Sequence, residues 1–237
     1  MNIVDTAEFY TQKLGKATLD LLSQRLRKHM PSGPDALVMG LGYAAPFLSG
    51  DKRHLAFMMA RSGVVHWPSV GEVKSSLVDE LALPLPDNSV EVAVLIHALE
   101  FTESAEDLLD EIWRVLAPEG KLIAIVPNRR GLWAISDATP YGQGQPFSRG
   151  QLLRLLKNAK FSISSIDPAF IAPPFAGPAI LRALEPLVKL GVVGFAGLNF
   201  AVATKQVHAY SVSKLARRVL PRIQHVMLPG AQPAAKM

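Results

Sequence analysis

The stretch that decides the fold is "VEVAVLIHALEFTESAEDLLDEIWRVLAPEGKLIAIVP", Val90 to Pro127. It begins with a continuous apolar run rich in β-branched residues, which is typical of a strand buried on both faces. Ser104 to Leu116 has the apolar spacing of an amphipathic helix, which Pro118 and Gly120 end. Lys121–Pro127 predicts a second buried strand. A strand, a helix and a strand in this order favour a mostly parallel sheet with helices on both faces.

The residues before this stretch predict one long helical region and three more strands. Asp5 and Glu8 have the spacing of a capping box, which would open a helix with apolar positions as far as Leu26. A short helix is expected around Ala45–Ser49. The three strand candidates are Ala36–Met39, His54–Ala60 and Ser75–Glu80.

The residues after it predict one helix and two final strands. Ser148 and Gln151 have the spacing of a second capping box, at the start of a helix that reaches Asn158. The strand candidates are Phe161–Asp167 and Asn199–Tyr210. Between them, residues 168–198 form an insert rich in Pro, Gly and Leu. Its longest apolar run is far shorter than the roughly 20 residues that a membrane span needs, so no transmembrane segment is expected.

Composition narrows the class of protein. Of the 237 residues, 49% are apolar and 19% are charged, as in a packed globular domain. The absence of cysteine excludes disulfides, thiolate metal sites and a cysteine nucleophile. The first 30 residues lack the apolar core of a secretion signal, so a cytoplasmic location is expected. The net charge of +5 is uneven, since no acidic residue follows Lys205. Such a basic end suits an acidic partner, anionic lipid or nucleic acid, or is simply solvated.

A glycine loop, "PDALVMGLGYAAPF", lies at Pro34 to Phe47. Gly40 and Gly42 would let the backbone approach a ligand closely. Together with Ala45 they also satisfy the G-x-G-x-x-G/A pattern of dinucleotide sites, with Arg53 or Arg61 available for a 2′-phosphate. That pattern is weak by itself. The absence of Asp and Glu from residues 52–71, where a ribose-binding acid would stand, counts against it.

The residues from Asp79 to Trp133 resemble the class I S-adenosylmethionine-dependent methyltransferases of the type 11 group, and the resemblance extends more weakly to about residue 210. It rests on the Pro86-Asp87 turn, the strand that ends in "HALE" at His97, and "EIWRVLAPEG" before the next strand. The family implies a Rossmann-like, mostly parallel seven-stranded sheet with a final antiparallel hairpin. It also implies a methyltransferase-like domain over residues 1–210, which carries the insert, followed by a basic tail over 211–237.

The resemblance also implies a cofactor, S-adenosylmethionine, and a set of residues around it. The two glycines match the loop under its methionine part, Asp79 matches the acid that binds the adenine amino group, and His97 faces the sulfonium and the acceptor. The candidate cofactor-binding residues are Gly40, Gly42, Tyr43, Met59, Asp79, Glu80 and His97.

Two departures from the family pattern concern this cofactor. Val38 and Met39 stand where an acid usually precedes the first glycine, and no acid ends the second strand. Loss of a bidentate charged acceptor for the ribose diol costs on the order of 1.5–3 kcal/mol, or ~10–100-fold in affinity. The loop is therefore either a weakened cofactor site or an abandoned one.

Methyl transfer depends mainly on alignment of donor and acceptor, so few catalytic groups are obligatory. The catalytic candidates are His97, as a general base, and Tyr141, which would cover the pocket or orient the acceptor. Arg130, Trp133 and Tyr141 are the candidates for binding the acceptor, because ligands gather after the strands of open α/β sheets. Each also has a purely structural interpretation: a histidine at a strand end, a loop aromatic packed on the sheet, or the start of a helix.

Two functions of different class fit these patterns. No Asn/Asp-Pro-Pro-aromatic motif follows the fourth strand and no acid–histidine cluster has metal spacing, so base methylation and metal-assisted transfer are not expected. The first function is a metal-independent methyltransferase for a small-molecule or lipid-like acceptor. The second is a catalytically silent methyltransferase-like protein that binds another protein through the 168–198 insert and the basic tail. Nucleic acid is not an expected partner.

Overall fold

The structure is a computed structural model that describes residues 3–50, 52–190 and 196–206. The strands within these residues form a single sheet. They are β1 Val38–Gly42, β2 His54–Met59, β3 Ser75–Val78, β4 Val90–Ile96, β5 Leu116–Pro127, β6 Phe161–Ala169 and β7 Leu198–Lys205. The α-helices are α1 Ile3–Thr11, α2 Lys13–Arg27, α3 Ala105–Val115, α4 Arg149–Asn158 and α5 Gly177–Leu184.

The strand order of the sheet is β3-β2-β1-β4-β5-β7-β6. The first five strands pair in parallel, whereas β7 lies antiparallel between β5 and β6. The expected sheet with a final antiparallel hairpin is therefore confirmed. The order reverses between β1 and β4, and in open α/β sheets such a reversal opens a crevice at the carboxyl ends of the strands. Both the glycine loop and His97 lie at this point.

The chain before the sheet differs from its sequence-based description. The single predicted helix is two helices, and Gln12, with φ −75° and ψ 162°, separates them. Helix α1 begins at Ile3, so Asp5 lies in its first turn and the expected capping box at Asp5 and Glu8 is wrong. The second capping box is confirmed, because Ser148 Oγ accepts from Gln151 N at 3.2 Å and Gln151 Oε1 accepts from Ser148 N at 2.9 Å.

Two apolar layers cover the two faces of the sheet. Leu108 and Ile112 of α3 and Leu152 of α4 are buried on one face, and Leu22 of α2 and Leu181 of α5 on the other. Burial of both faces accounts for the continuous apolar runs in β4 and β5, since neither face of these strands meets solvent.

The insert belongs in part to this core. Leu181 and Val188 are buried, and Glu185 Oε1 lies 2.9 Å from Arg25 Nη2 of α2. Burial raises the pKa of Glu185, although the Arg25 guanidinium opposes the shift. Core packing therefore explains part of the apolar composition of the insert, whereas Phe175, Ile180 and Leu187 remain exposed.

Lys205 fixes the end of β7 to the last turn of α3 and to the start of β5. Its Nζ donates to Asn88 Oδ1 and to Leu116 O, both at 2.7 Å, and lies 4.0 Å from the centre of the Trp113 ring. The side chain is buried, which lowers its pKa. A buried lysine with these partners anchors the hairpin strand to the strand–helix–strand unit that precedes it.

The chain divides into a compact unit over Met1–Val207 and a second unit over His208–Met237. The second unit, and with it the expected basic tail at 211–237, lies outside the described residues. Across the described part of the chain, no helix has the length and apolar character needed to cross a membrane.

Candidate functional site

The glycine loop closes tightly on the end of β4. Gly42 has φ +85°, and a Cβ at this position would stand 2.2 Å from Ile96 O. A Cβ at Gly40 would stand 2.5 Å from the Cβ of Ala44. Tyr43 N donates to Ile96 O at 2.8 Å, which fixes the loop against the neighbouring strand. Only glycine meets both the left-handed backbone and the contact at Gly42.

His97 follows β4 directly and is completely buried. Its φ of +54° is in the left-handed region, which is uncommon for a residue with a side chain. His97 Nε2 lies 3.0 Å from Tyr10 OH, which in turn lies 2.7 Å from Tyr141 OH. The structure thus brings the two residues predicted as catalytic together, with ring centres 4.7 Å apart, and adds Tyr10 between them.

Glu100 lies on the other side of the imidazole. Its Oε1 is 3.3 Å from His97 Nδ1, and both side chains are 0% exposed. Neither His97 Nδ1 nor either carboxylate oxygen has a hydrogen-bond partner of good geometry. Buried polar atoms without partners are rare, and they occur where a site awaits a ligand or a water molecule. Glu100 therefore joins the cluster as a group able to orient the imidazole.

Helix α1 forms an aromatic roof over His97, made of Phe9 and Tyr10 together with Tyr43 and Tyr141. The rings of Tyr10 and Tyr43 stack with centres 5.3 Å apart and an interplanar angle of 22°. Burial raises the pKa of Tyr10 and of Tyr141 well above that of a free phenol. Both hydroxyls are therefore neutral at physiological pH. They can donate or relay a proton, but neither is present as a phenolate base.

A small cavity of about 40 Å³ lies at the ends of β2 and β3 and beside the residues that follow β4. The residues that line it are Met59, Arg61, Ser62, Glu80, Phe101 and Glu103. It has room for about three water molecules, whereas sites for drug-sized ligands occupy ~300–1,000 Å³. Asp79 is not among these residues: it is exposed, and its Oδ1 accepts from Leu81 N at 2.9 Å.

The residues predicted to bind the acceptor are placed separately. Trp133 is 1% exposed, and its Nε1 donates to Ala172 O at 2.8 Å, so it holds the insert against the sheet. Its ring touches Tyr141 edge-on, with centres 5.5 Å apart. Arg130 is exposed at the surface. Of these candidates, only Tyr141 joins the cluster around His97.

Sequence patterns missed four residues of the site. Tyr10 lies 87 residues before His97, and nothing in its helix marks it as a partner of the imidazole. Phe101 and Glu103 follow the fourth strand, whereas the family pattern places the ribose-binding acid at the end of the second strand. Glu100 was part of the family motif but carried no assigned role. In the described residues no group of three or more His, Cys, Asp or Glu could hold a metal ion.

The residues present fit S-adenosylmethionine in part. The position of the glycine loop, at the reversal of strand order, suits the methionine part of the cofactor, whereas the close contacts at Gly42 are with the chain's own backbone. Glu80 and Glu103 place two carboxylates at the cavity that lies where the resemblance puts the adenosine part, and Glu103 is paired there with Arg61. The cavity of about 40 Å³ is too small for an adenosine group, so the side chains that line it must move before the cofactor can enter.

Residues 56–124 match the model of the type 11 methyltransferase domain family. A solved S-adenosylmethionine-dependent methyltransferase from Thermotoga maritima, described as a possible histamine N-methyltransferase, is similar with a TM-score of 0.60. The two share 16% identity over 86% of this chain and 96% of that chain. No curated protein matches this chain in sequence.

Two further solved structures have similar folds. The [4+2]-cyclase SpnF has a TM-score of 0.57 and 21% identity, covering 79% of this chain and 81% of that chain. The geranyl diphosphate C-methyltransferase from Streptomyces coelicolor A3(2) has a TM-score of 0.56 and 16% identity, covering 78% and 79%. The resemblance to the type 11 methyltransferases is therefore confirmed over residues 56–124, and the described part of the chain has the class I methyltransferase fold.

Proposed function

We propose that the chain is a metal-independent, S-adenosylmethionine-dependent methyltransferase acting on a small-molecule or lipid-like acceptor. The observation that carries the proposal is the closure of the glycine loop on the end of β4, beside the buried His97 cluster. The Gly42 contact requires glycine, and it stands at the reversal of strand order where ligands bind in such sheets.

In this proposal, the backbone around Gly40 and Gly42 holds the methionine part of the cofactor. Glu80 accepts hydrogens from its ribose hydroxyls or adenine amino group, in place of the acid missing from the second strand. Glu103 does the same with the carboxylate oxygen that Arg61 leaves free. The bound cofactor supplies a methyl group on a sulfonium. The protein contributes mainly alignment and the exclusion of water.

His97 acts as the base that accepts a proton from the acceptor, and Glu100 orients its imidazole. Tyr10 and Tyr141 cover His97 in the present arrangement, so an acceptor reaches Nε2 only after Tyr10 moves away. Helix α1 carries Tyr10 and is joined to α2 through Gln12, so α1 is suited to open as a lid.

The similar structures support a small-molecule acceptor but do not define the reaction. One is named for geranyl diphosphate and another as a possible histamine N-methyltransferase. A third is named as a cyclase, which illustrates that a fold does not determine its chemistry.

Calorimetric titration with S-adenosylhomocysteine tests the cofactor assignment. We expect weak binding by the parent chain and at least tenfold weaker binding by Glu80→Gln, about the value of one charged hydrogen bond. Glu72→Gln is the control, because it makes the same change at an exposed glutamate that does not line the cavity, whereas Glu80 is half-buried. Equal affinities for the Glu80 and Glu72 variants would overturn the assignment of Glu80.

The second candidate is a catalytically silent protein that binds a partner. It is favoured by the stacking of Tyr10 on Tyr43 and by the small cavity, since both leave little room for the cofactor. Tyr10→Ala distinguishes the two functions, because it removes the roof directly over the loop. If the parent fails to bind S-adenosylhomocysteine and the variant binds it, the roof gates a working site. If neither binds at millimolar concentration, the methyltransferase proposal fails.

A further inference from the structure

A second cleft lies on the outer side of the aromatic roof, between α1 and residues 137–143. Its volume is about 230 Å³. The residues that line it are Asp5, Thr6, Glu8, Phe9, Gln12, Asp137, Ala138, Thr139, Pro140 and Gln143. None of these described residues is Lys, Arg or His, so three carboxylates face one cleft without a cation in its lining. This is unexpected in a chain whose net charge is +5.

Thr139 gives a second, independent indication of a ligand. The residue lines the cleft and is only 2% exposed, yet its Oγ1 has no hydrogen-bond partner. Its backbone is satisfied, since Thr139 N donates to Ser136 O at 3.2 Å. A buried hydroxyl without a partner costs free energy, on the order of 1–3 kcal/mol, unless a ligand or water molecule supplies one.

We propose that this cleft binds the ammonium group of a small organic amine. An ammonium group is a donor with no acceptor, so it is complementary to the carboxylates of Asp5, Glu8 and Asp137 and to the lone pairs of the Thr139 hydroxyl. Phe9 also lines the cleft and adds an aromatic ring, which attracts a cation through its face and an apolar ligand body through its area.

The position of the cleft connects it with the roof. Thr139 and Pro140 come directly before Tyr141, and the Phe9 ring meets the Tyr141 ring edge-on with centres 6.2 Å apart. An amine held in the cleft would therefore contact the outer side of the residues that cover His97. The binding itself goes beyond the proposed function and does not depend on methyl transfer.

The test uses 2-phenylethylamine as the probe, with 2-phenylethanol as its neutral counterpart and 3-phenylpropionate as its anionic counterpart. Binding to the full chain is followed by calorimetry or by NMR titration at neutral pH, without S-adenosylmethionine. The amine should bind at least tenfold more tightly than the alcohol, and the carboxylate should not bind detectably. Raising the salt concentration should weaken the binding of the amine, because its three expected carboxylate partners are exposed to solvent.

Variants locate the site. Glu8→Gln and Asp137→Asn should each weaken binding of the amine by about threefold, and the double variant by about tenfold, as expected for exposed charge pairs. Asp110→Asn is the matched control, since Asp110 is exposed on α3 and does not line the cleft. Thr139→Val should also weaken binding of the amine, and the free variant should be at least as stable as the parent chain because it removes a buried hydroxyl without a partner.

Two results would overturn the proposal. One is equal binding of the amine and the alcohol, which would show a site that recognises only the phenyl group. The other is a double variant that binds the amine like the parent chain, which would place the amine elsewhere. Because the cofactor is absent, these results do not depend on the outcome of the S-adenosylhomocysteine titration.

Discussion

Tyr10→Phe tests the central hydrogen bonds of the site. The Tyr10 hydroxyl lies 3.0 Å from His97 Nε2 and 2.7 Å from Tyr141 OH, and all three residues are buried. Its removal breaks two hydrogen bonds of about 1 kcal/mol each and leaves two buried polar atoms without that partner. The sum is a loss of about 2–4 kcal/mol in the free energy of unfolding. For a chain of this size, that corresponds to a fall of roughly 4–16 °C in Tm.

The assay is thermal unfolding followed by circular dichroism, with urea denaturation as a second measurement. Tyr43→Phe is the control, because it also removes a phenol hydroxyl from the same stack and should change stability by less than about 0.5 kcal/mol. If Tyr10→Phe unfolds within a degree of the parent, the hydroxyl does not bridge His97 and Tyr141. The description of the roof as a closed cluster would then be wrong.

Three further substitutions probe the fold around the site. Gly42→Ala should destabilise the chain by more than about 3 kcal/mol in urea denaturation or prevent folding, because its Cβ would stand 2.2 Å from Ile96 O. Gly33→Ala is the control and should be neutral, because its Cβ would meet no atom within 4 Å. Burial raises the pKa of Glu185 above its ordinary value of 4.5, so its stabilisation is complete below that pH and is lost as pH rises through the folded-state pKa. The stability advantage of the parent over Glu185→Gln should therefore shrink as the pH rises above about 4.5, and an advantage that grows with pH would contradict the direction of the shift. Lys205→Met should cost about 1–3 kcal/mol in urea denaturation, because it removes the donor to Leu116 O, while Lys121→Met at an exposed site should be nearly neutral.

The strands and most helices could be predicted because their residues carry local signals. The continuous apolar runs of β4 and β5 predict strands that are buried on both faces. The capping box at Ser148 predicts the start of α4. The break at Gln12 has no Gly or Pro at the junction itself, and its nearest signal is Gly15 inside α2, where a Cβ would stand 1.9 Å from Phe9 O of α1. Strand β5 also begins earlier than predicted, at Leu116, because the last residue of α3 is followed directly by a residue that pairs with Val90.

The site was predictable only where a family motif or a turn residue carried it. Gly42 and His97 follow from the loop and from the end of the fourth strand, and the structure places both at the crevice. Tyr10 reaches the site through the packing of a distant segment, and Glu103 through an ion pair with Arg61, and no local pattern records either contact. Trp133 is predicted to bind the acceptor from its position after the fifth strand, but its ring is buried in the core and its Nε1 donates to Ala172 O.

The left-handed backbone at His97 restricts which residues can replace it by chance mutation. A side chain at φ +54° costs about 1–2 kcal/mol relative to glycine, so this histidine occupies a position where the backbone favours other residues. Glycine at this position relieves the conformational cost, but it also removes a buried imidazole and its hydrogen bond to Tyr10. The contacts of the imidazole therefore outweigh the preference of the backbone for glycine. The residue found at this position in related chains would accordingly sort those that retain the imidazole from those that keep only the scaffold.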